Sequence, residues 1–361
     1  MSFIMRITAI LGLLLLLSAC GVSQTQQQSA PAQPAPEQQV EANLESESAR
    51  PLDVNPIAEV KPIDEAIVSV AAEPVKQATA TAKAASKNST AVESLCKEIG
   101  NTLGSVSVAD CLAQKFSEAG VVSVEGRAIV YQRYLPLADK KPKGKVLLVG
   151  GIHGDEYSSV SIVFKWLQTL DEFHSGLFNW YVIPLLNPDG LLQQKAQRQN
   201  AKGVDLNRNF PTSNWDVEAA KYWEKTGKNV RRYPGPTAGS EVESQLLMNV
   251  IDQFKPDVII SVHAPHSLVD YDGPPKAPNQ LGNLQLRRLG VYPGSLGNYA
   301  GVHKGVQVIT IELASAGIMP DEKEVATMWT DLVRYLVSNE KFQQQRQAAS
   351  EINTETAAAV N

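Results

Sequence analysis

The chain has 361 residues, of which 43% are hydrophobic, so it is long enough to hold one large or two ordinary domains. Its formal net charge of -5 provides no basic footprint for nucleic acid, and we expect no nucleic-acid partner. Charge therefore argues against a nucleic-acid-binding protein, whereas enzymes and ligand-binding domains remain open.

Residues 1–19 have the pattern of a signal peptide. A short positive start precedes the apolar residues 7–17, a run that is too short to span a membrane. The small residues before Cys20 resemble the lipobox of bacterial lipoproteins, which implies cleavage before Cys20 and attachment of lipid to its thiol. Gly21 at the next position favours the outer membrane. We expect a lipid-anchored protein of the bacterial cell envelope that faces the periplasm; an ordinary secretory signal with a chance cysteine is the alternative.

Two stretches are predicted to be disordered. Residues 20–90 are rich in Gln, Pro, Ala, Ser and Thr, and residues 343–361 are rich in Gln and Ala. Such compositions bury too little apolar surface to offset the entropy lost on ordering. The first stretch is therefore predicted to be a flexible tether, through which the membrane is a partner, and the second a tail.

The remaining cysteines, Cys96 and Cys111, lie in the segment 91–122, which is predicted to be a small helical N-terminal segment. An even pair in an oxidising compartment favours a disulfide between them. Two buried free thiols are the alternative. Neither cysteine has a further Cys or His nearby in the sequence, which argues against a zinc site here.

Residues 123–342 alternate short apolar runs with amphipathic segments, which is typical of an α/β domain. Strands are predicted at 128–133, 145–149, 180–186, 258–262 and 306–311, and helices at 158–170, 241–254 and 321–337. Pro184 indicates a bulge or the end of its strand, because proline cannot donate to a sheet. Ser240 with Glu243 is predicted to form a capping box at the start of the second helix.

Three of the predicted strands are followed by metal ligands or a carboxylate. His153 and Glu156 follow the first of them, His263 follows the second, and Glu312 follows the third. Ligands bind at the carboxyl edge of open α/β sheets. Two histidines and one carboxylate, His153, His263 and Glu156, form the ligand set of a catalytic zinc site with one open position. The sequence therefore predicts one zinc ion, with Glu312 as the general base.

The other three histidines fit this site less well. His174 lies in a polar stretch, His303 in a loop flanked by glycine, and His266 beyond the strand that ends at His263. Elimination therefore leaves His153 and His263 as the ligands.

The order of the motifs resembles the carboxypeptidase A-like zinc peptidase family, and within it the murein peptide amidases, which cut the γ-D-glutamyl–diaminopimelate bond of peptidoglycan peptides. The resemblance spans about residues 145–316 and implies a three-layer α/β/α sandwich with a mixed, mostly parallel sheet. It rests on these features, in chain order: His153 with Glu156, Asn187-Pro188-Asp189-Gly190, Arg198, Asp205-Leu206-Asn207-Arg208-Asn209-Phe210, His263 and Glu312.

The resemblance also implies roles for residues between the metal ligands. Arg198 matches the arginine that polarises the scissile carbonyl, and Asp205 matches an acid that orients a ligand histidine. Asn207 and Arg208 match the pair that receives the terminal carboxylate of the substrate. A tyrosine on a mobile loop is matched by Tyr292, with Tyr299 as the alternative.

Together these features predict a monomeric zinc metallopeptidase that cleaves an amide bond beside a free carboxylate. Peptidoglycan-derived peptides are the first substrate hypothesis, and a general metallocarboxypeptidase is the broader one. An aspartoacylase-like deacylase is disfavoured because Glu312 is followed by a single helix and the Gln/Ala-rich tail. A non-enzymatic peptidoglycan-binding lipoprotein is disfavoured because no ligand is lost.

Overall fold

The computed structural model describes residues 89–274 and 276–339. The predicted signal peptide, Cys20, the tether up to residue 88 and the tail 343–361 lie outside the described residues. Within the described part, no helix combines the length and the apolar character that crossing a membrane requires.

The described residues form one large mixed sheet. Its strands are β1 Ser117–Val122, β2 Ala128–Tyr134, β3 Gly144–Val149, β4 Phe178–Ile183, β5 Val258–His263, β6 Leu268–Asp272, β7 Gln280–Leu281, β8 Leu284–Leu286 and β9 Gln307–Glu312. They lie side by side in the order β1-β2-β4-β3-β5-β9-β6-β8-β7. The four central strands, β4-β3-β5-β9, are parallel to one another. The pairings β1–β2, β2–β4, β6–β9 and β7–β8 around this centre are antiparallel, whereas β6–β8 is parallel.

Helices cover both faces of the sheet. The α-helices of the described part are α1 Thr90–Thr102, α2 Val108–Ala113, α3 Tyr157–Phe173, α4 Pro188–Leu192, α5 Trp215–Lys225, α6 Val242–Phe254 and α7 Glu322–Ser338. Apolar residues of α1, α3 and α7 pack in one core with Val146 and Leu148 of β3. Residues of α6 pack in a second core with Leu147 and Val149. Alternate side chains of β3 thus enter opposite cores, and its unbroken apolar run is the consequence of burial on both faces.

The predicted α/β sandwich is confirmed, and every predicted strand and helix has a counterpart. The strand predicted at 180–186 is β4, which ends at Ile183, directly before Pro184. The predicted capping box is wrong: α6 has Glu241 as its N-cap, without a side-chain cap, and the Ser240 hydroxyl donates to Glu241 instead. The strands β1, β6, β7 and β8 were not predicted, because they are short or lack a continuous apolar run.

The segment 91–122 is not a purely helical unit beside the main domain. It comprises α1, α2 and β1, with Cys96 and Cys111 joined by a disulfide. β1 pairs with β2 at the edge of the sheet, and the buried side chains of α1 share a core with α3. Because one face of β1 is only partly buried and the other is exposed, its sequence has no apolar alternation that would have revealed a strand.

Candidate metal centre and active site

Three side chains meet at the carboxyl edge of the central strands. His153 and Glu156 lie in the loop between β3 and α3, and His263 is the last residue of β5. All three are nearly buried, with exposed fractions of 2%, 5% and 2%. Among the His, Cys, Asp and Glu side chains of the described residues, these three form a group whose ligand atoms lie close enough together to hold one metal ion.

The two histidines present the same ring atom to each other. His153 Nδ1 lies 3.0 Å from His263 Nδ1 and 2.8 Å from Glu156 Oε1, and His263 Nδ1 lies 3.1 Å from Glu156 Oε2. Ligand atoms at tetrahedral angles and ordinary bond lengths around zinc lie roughly 3.3 Å apart. The spacing of these donors and their chemistry therefore fit one zinc ion held by His153, Glu156 and His263.

The opposite ring atoms of the two histidines are held by neighbouring side chains. His153 Nε2 lies 3.2 Å from Asp205 Oδ1, and His263 Nε2 lies 2.9 Å from the Ser261 hydroxyl. Such contacts fix the orientation of a ligand ring and reserve its other nitrogen for the metal. Asp205 lies where an orienting acid is required, and Ser261 has the corresponding position for His263.

Electrostatics keep the acidic groups of the centre ionised. Burial alone would raise the pKa of Glu156, but the charges of His153 and His263 and their hydrogen bonds lower it overall. Burial likewise opposes ionisation of Asp205, and the Arg198 guanidinium and the bond to His153 hold its pKa well below the usual range. Both carboxylates are therefore negative and able to balance cations in a buried site.

The ligand loop is fixed by close contact with the Asn187–Gly190 turn. A Cβ atom on Gly154 would lie 2.1 Å from the carbonyl carbon of Gly190, so only glycine fits between the two metal ligands at this point. Asn187 Nδ2 donates to the Ile152 carbonyl, and its Oδ1 accepts from the Gly190 amide. The turn thus supports the backbone from which His153 and Glu156 project.

Glu312 reaches the centre through the sheet. It is the last residue of β9 and is the register partner of His263 on β5. Its side chain is 8% exposed, and its Oε2 atom has no hydrogen-bond partner among the described residues. Burial raises the pKa of its carboxyl, although the charge of His263 opposes the shift. A buried carboxyl with an unpaired oxygen beside a metal ligand is a suitable group for proton transfer.

Arg198 lies against the same cluster. Its Nε donates to Asp205 Oδ2 at 3.0 Å, and its Nη1 lies 3.4 Å from Glu156 Oε1. The guanidinium is thereby directed to the metal ligands, which is the side required of an arginine that holds a substrate carbonyl.

Asn207 and Arg208 follow Asp205 in one turn of 3-10 helix, Leu206–Arg208. Asn207 Oδ1 accepts from the Leu296 amide, and Arg208 lies between two tyrosine rings, 4.6 Å from Tyr292 and 5.3 Å from Tyr222. Arg208 is only 6% exposed, and its Nε has no partner in the described part of the chain.

The two candidate tyrosines differ in their surroundings. Tyr292 is partly buried and packs on Arg208. Tyr299 is 7% exposed and stacks on Phe210 with ring centres 5.7 Å apart. Tyr292 is therefore the tyrosine that adjoins Arg208.

His303, predicted in a loop, instead ends the π-helix Gly297–His303, and its Nε2 accepts from the Ser213 amide.

Sequence reasoning missed a polar network beneath these residues. Asn200 is fully buried; its Nδ2 donates to Glu241 and Glu243, and its Oδ1 accepts from the amides of Lys202 and Val204. Glu241 and Glu243 are also fully buried. Asn200 thus shapes the turn that joins Arg198 to Asp205. The glutamates start α6, where acidic residues are common, so their burial gave no signal in the sequence.

Comparison with known proteins identifies the family. Residues 112–287 match the family model described as zinc carboxypeptidase. Murein peptide amidase A of Vibrio campbellii is 31% identical over 188 residues, which are 50% of this chain and 73% of that protein. The chain belongs to the zinc carboxypeptidase family. The family match contains the three metal ligands and Arg198, whereas Glu312 lies beyond it and is brought to the site by the pairing of β5 with β9.

Two further relatives of this zinc carboxypeptidase chain differ in coverage. Murein peptide amidase A of Escherichia coli K12 is 38% identical over 127 residues, which are 34% of this chain and 50% of that protein. The chain therefore matches about half the length of that relative. Carboxypeptidase A from Helicoverpa armigera has a TM-score of 0.51 at 20% identity, covering 65% of this chain and 73% of that chain, a likeness that shows the fold.

The Asn200 network gives a stability prediction. Asn200→Ala removes the amide that both buried glutamates share, and we expect the free energy of unfolding to fall by about 3 kcal/mol. Urea unfolding of chelator-treated protein measures the change. Lys202→Ala is the matched control, because its side chain is 53% exposed and lies 3.6 Å from Glu241. Equal unfolding midpoints for the two variants would contradict the assignment.

Proposed function

We propose that the protein is a zinc-dependent peptidase that hydrolyses an amide bond beside a free carboxylate. The observation that carries the proposal is the nearly buried Arg208, whose Nε has no hydrogen-bond partner among the described residues. Arg208 follows Asn207, whose amide donates to Asp205 beside the metal centre. A buried cation is stable only with compensation, and a guanidinium fork matches the two oxygens of a carboxylate. A substrate carboxylate supplies that compensation at a fixed distance from the scissile bond.

Four groups have separate roles in the proposed mechanism. Zinc held by His153, Glu156 and His263 supplies, when bound, Lewis acidity for the substrate carbonyl and for water. Glu312 takes the proton of the attacking water and delivers it to the leaving amine, a task suited to a carboxyl with a raised pKa. Arg198 donates to the oxygen of the scissile carbonyl as negative charge develops there. Arg208 with Asn207 fixes the carboxylate, so that the bond to be cut lies beside Glu312.

Peptidoglycan stem peptides are the proposed substrate class, with cleavage between γ-D-glutamate and meso-diaminopimelate. Two relatives with murein peptide amidase as their name support this choice. The leaving group is then an amine that carries a free carboxylate, which is the chemistry expected beside Arg208.

The proposed location is the bacterial cell envelope. The signal-like residues 1–19 and the lipobox-like residues before Cys20 support export and lipid attachment, with the outer membrane favoured. A lipid-anchored protein would meet peptidoglycan peptides in the periplasm and act there as a monomer.

Turnover of a defined tripeptide tests the function. Zinc-loaded protein incubated with L-Ala-γ-D-Glu-meso-diaminopimelate should release free diaminopimelate, and a chelator should stop the release. Mass spectrometry detects the products. If zinc is bound and no tripeptide is cleaved, the substrate class is wrong, and C-terminal peptides and N-acyl amino acids become the next substrates to assay.

The role of Glu312 predicts a loss of turnover without a loss of metal. Glu312→Gln keeps the size of the side chain but removes its basicity, so kcat should fall by at least about 100-fold while bound zinc stays stoichiometric. Rate assays and elemental analysis measure both. Glu322→Gln, an exposed change at the start of α7, serves as control. Activity retained by Glu312→Gln would remove Glu312 from this role.

The proposed binding of the substrate carboxylate by Asn207 and Arg208 predicts a selective effect on KM. Arg208→Ala should raise KM by roughly 10- to 100-fold for substrates with a free terminal carboxylate, because a charge-assisted hydrogen bond is lost. The same substrates with an amidated terminus should change much less. Arg232→Ala is the control, since Arg232 is exposed and contacts Tyr222, which packs on Arg208. An equal rise in KM for the acid and amide substrates would show that Asn207 and Arg208 do not bind the terminal carboxylate.

A further inference from the structure

A second arginine adjoins the metal centre on a loop that the mechanism does not use. Arg231 lies in the 3-10 helix Val230–Arg232, within the loop of residues 226–236. Its Nη2 atom lies 2.6 Å from Asp155 Oδ2, and its side chain is 52% exposed. Asp155 stands between the metal ligands His153 and Glu156 in the chain. An exposed cation is therefore attached directly to the ligand loop.

We infer that Arg231 binds a second carboxylate of the substrate, on the amino side of the scissile bond. The inference rests on the proposed function and adds the chemistry of the acyl half of the substrate: a γ-linked glutamyl residue with a free α-carboxylate. When glutamate is linked through its side chain, the α-carboxylate stays free and lies a few bonds from the scissile carbonyl. An α-linked residue carries no backbone carboxylate there.

The position of Arg231 relative to the other arginines supports this direction. Arg208 and Asp205 belong to one turn, in which the Arg208 amide donates to the Asp205 carbonyl. Asp205 binds Arg198, and Arg198 lies 3.4 Å from Glu156, the neighbour of Asp155.

The contacts thus run from Arg208 through Arg198 to Arg231. A substrate with its terminal carboxylate at Arg208 and its scissile carbonyl at Arg198 extends its acyl half toward Arg231.

The loop is held firmly enough to present a side chain at a defined point. Gln199 Nε2 donates to the Val230 carbonyl at 2.7 Å, and the Asp205 amide donates to the Tyr233 carbonyl at 2.8 Å. The Trp223 indole donates to the Asn229 carbonyl at 2.9 Å. Two of these three bonds come from the segment that carries Arg198 and Asp205, so Arg231 is positioned by the same backbone as the catalytic groups.

The charges explain why an arginine is required here. Asp155 alone would repel an anionic acyl group beside the metal ligands. Arg231 neutralises this carboxylate through one nitrogen, and a guanidinium has further N–H donors for a second carboxylate. The Asp155–Arg231 pair therefore offers N–H donors to an anion in place of an uncompensated negative charge.

The test compares two ligands that differ in one group. L-Ala-γ-D-Glu-meso-diaminopimelate has the free α-carboxylate, and its D-isoglutamine analogue has a carboxamide there. For zinc-loaded wild-type protein, kcat/KM should favour the acid, and Arg231→Gln should reduce that preference by about tenfold. Arg231→Lys should restore part of it. Arg232→Gln, a change at the neighbouring exposed arginine, should leave the preference unchanged.

A binding measurement keeps this test separate from the proposed function. Calorimetry with the acyl products, L-Ala-D-Glu and L-Ala-D-isoglutamine, requires no turnover. Tighter binding of the acid by wild type, lost in Arg231→Gln, supports the inference even if no tripeptide is cleaved. Equal binding of acid and amide by wild type, or an equal loss of both in Arg231→Gln, overturns it. Cleavage of the tripeptide with an unchanged preference in Arg231→Gln overturns it while the proposed function stands.

Discussion

The functional centre depends on the compensation of one fully buried carboxylate, that of Asp205. Its two oxygens contact His153, the Asn207 amide and Arg198, and its own amide donates to the Tyr233 carbonyl. An unpaired charge at such a site would cost several kcal/mol, so these groups are held together by a shared requirement for neutrality. The Asp205 side chain thereby fixes the metal ligand His153, the candidate carbonyl-binding Arg198 and the backbone of Asn207.

The sandwich supplies the rigid support for this arrangement. The apolar strands β3, β5 and β9 are buried on both faces, and the polar chemistry begins where each strand ends. His263 and Glu312 are register partners on adjacent strands, so their separation is set by the spacing of the sheet rather than by a loop. The ligand loop gains comparable precision from the close approach of Gly154 to Gly190.

The central part of the fold could be predicted from the sequence because its signals are local. The apolar runs that become β3, β5 and β9 stand out, and the histidines and acids at their ends follow from position alone. Strand β1 and the strands β6 to β8 could not be predicted, because they are short or lack a continuous apolar run.

The same distinction applies to the site. The proximity of His153 and His263 could be predicted because each follows an apolar strand. Asn200 and Arg231 have no motif that distinguishes them. Their significance arises from tertiary contacts with Glu241, Glu243 and Asp155. Residue types can be read from the sequence, but charge compensation between distant segments cannot.

The pairing of β5 with β9 has a consequence for the time at which the protein becomes active. His153 and His263 are 110 residues apart in the chain, and Glu312 joins them only when β9 has been added to the sheet. Contacts of this sequence separation form slowly, because chain entropy is lost before they are made. A chain whose sheet is incomplete therefore holds its metal ligands apart from Glu312. The complete set of polar groups comes together only when the sheet is complete.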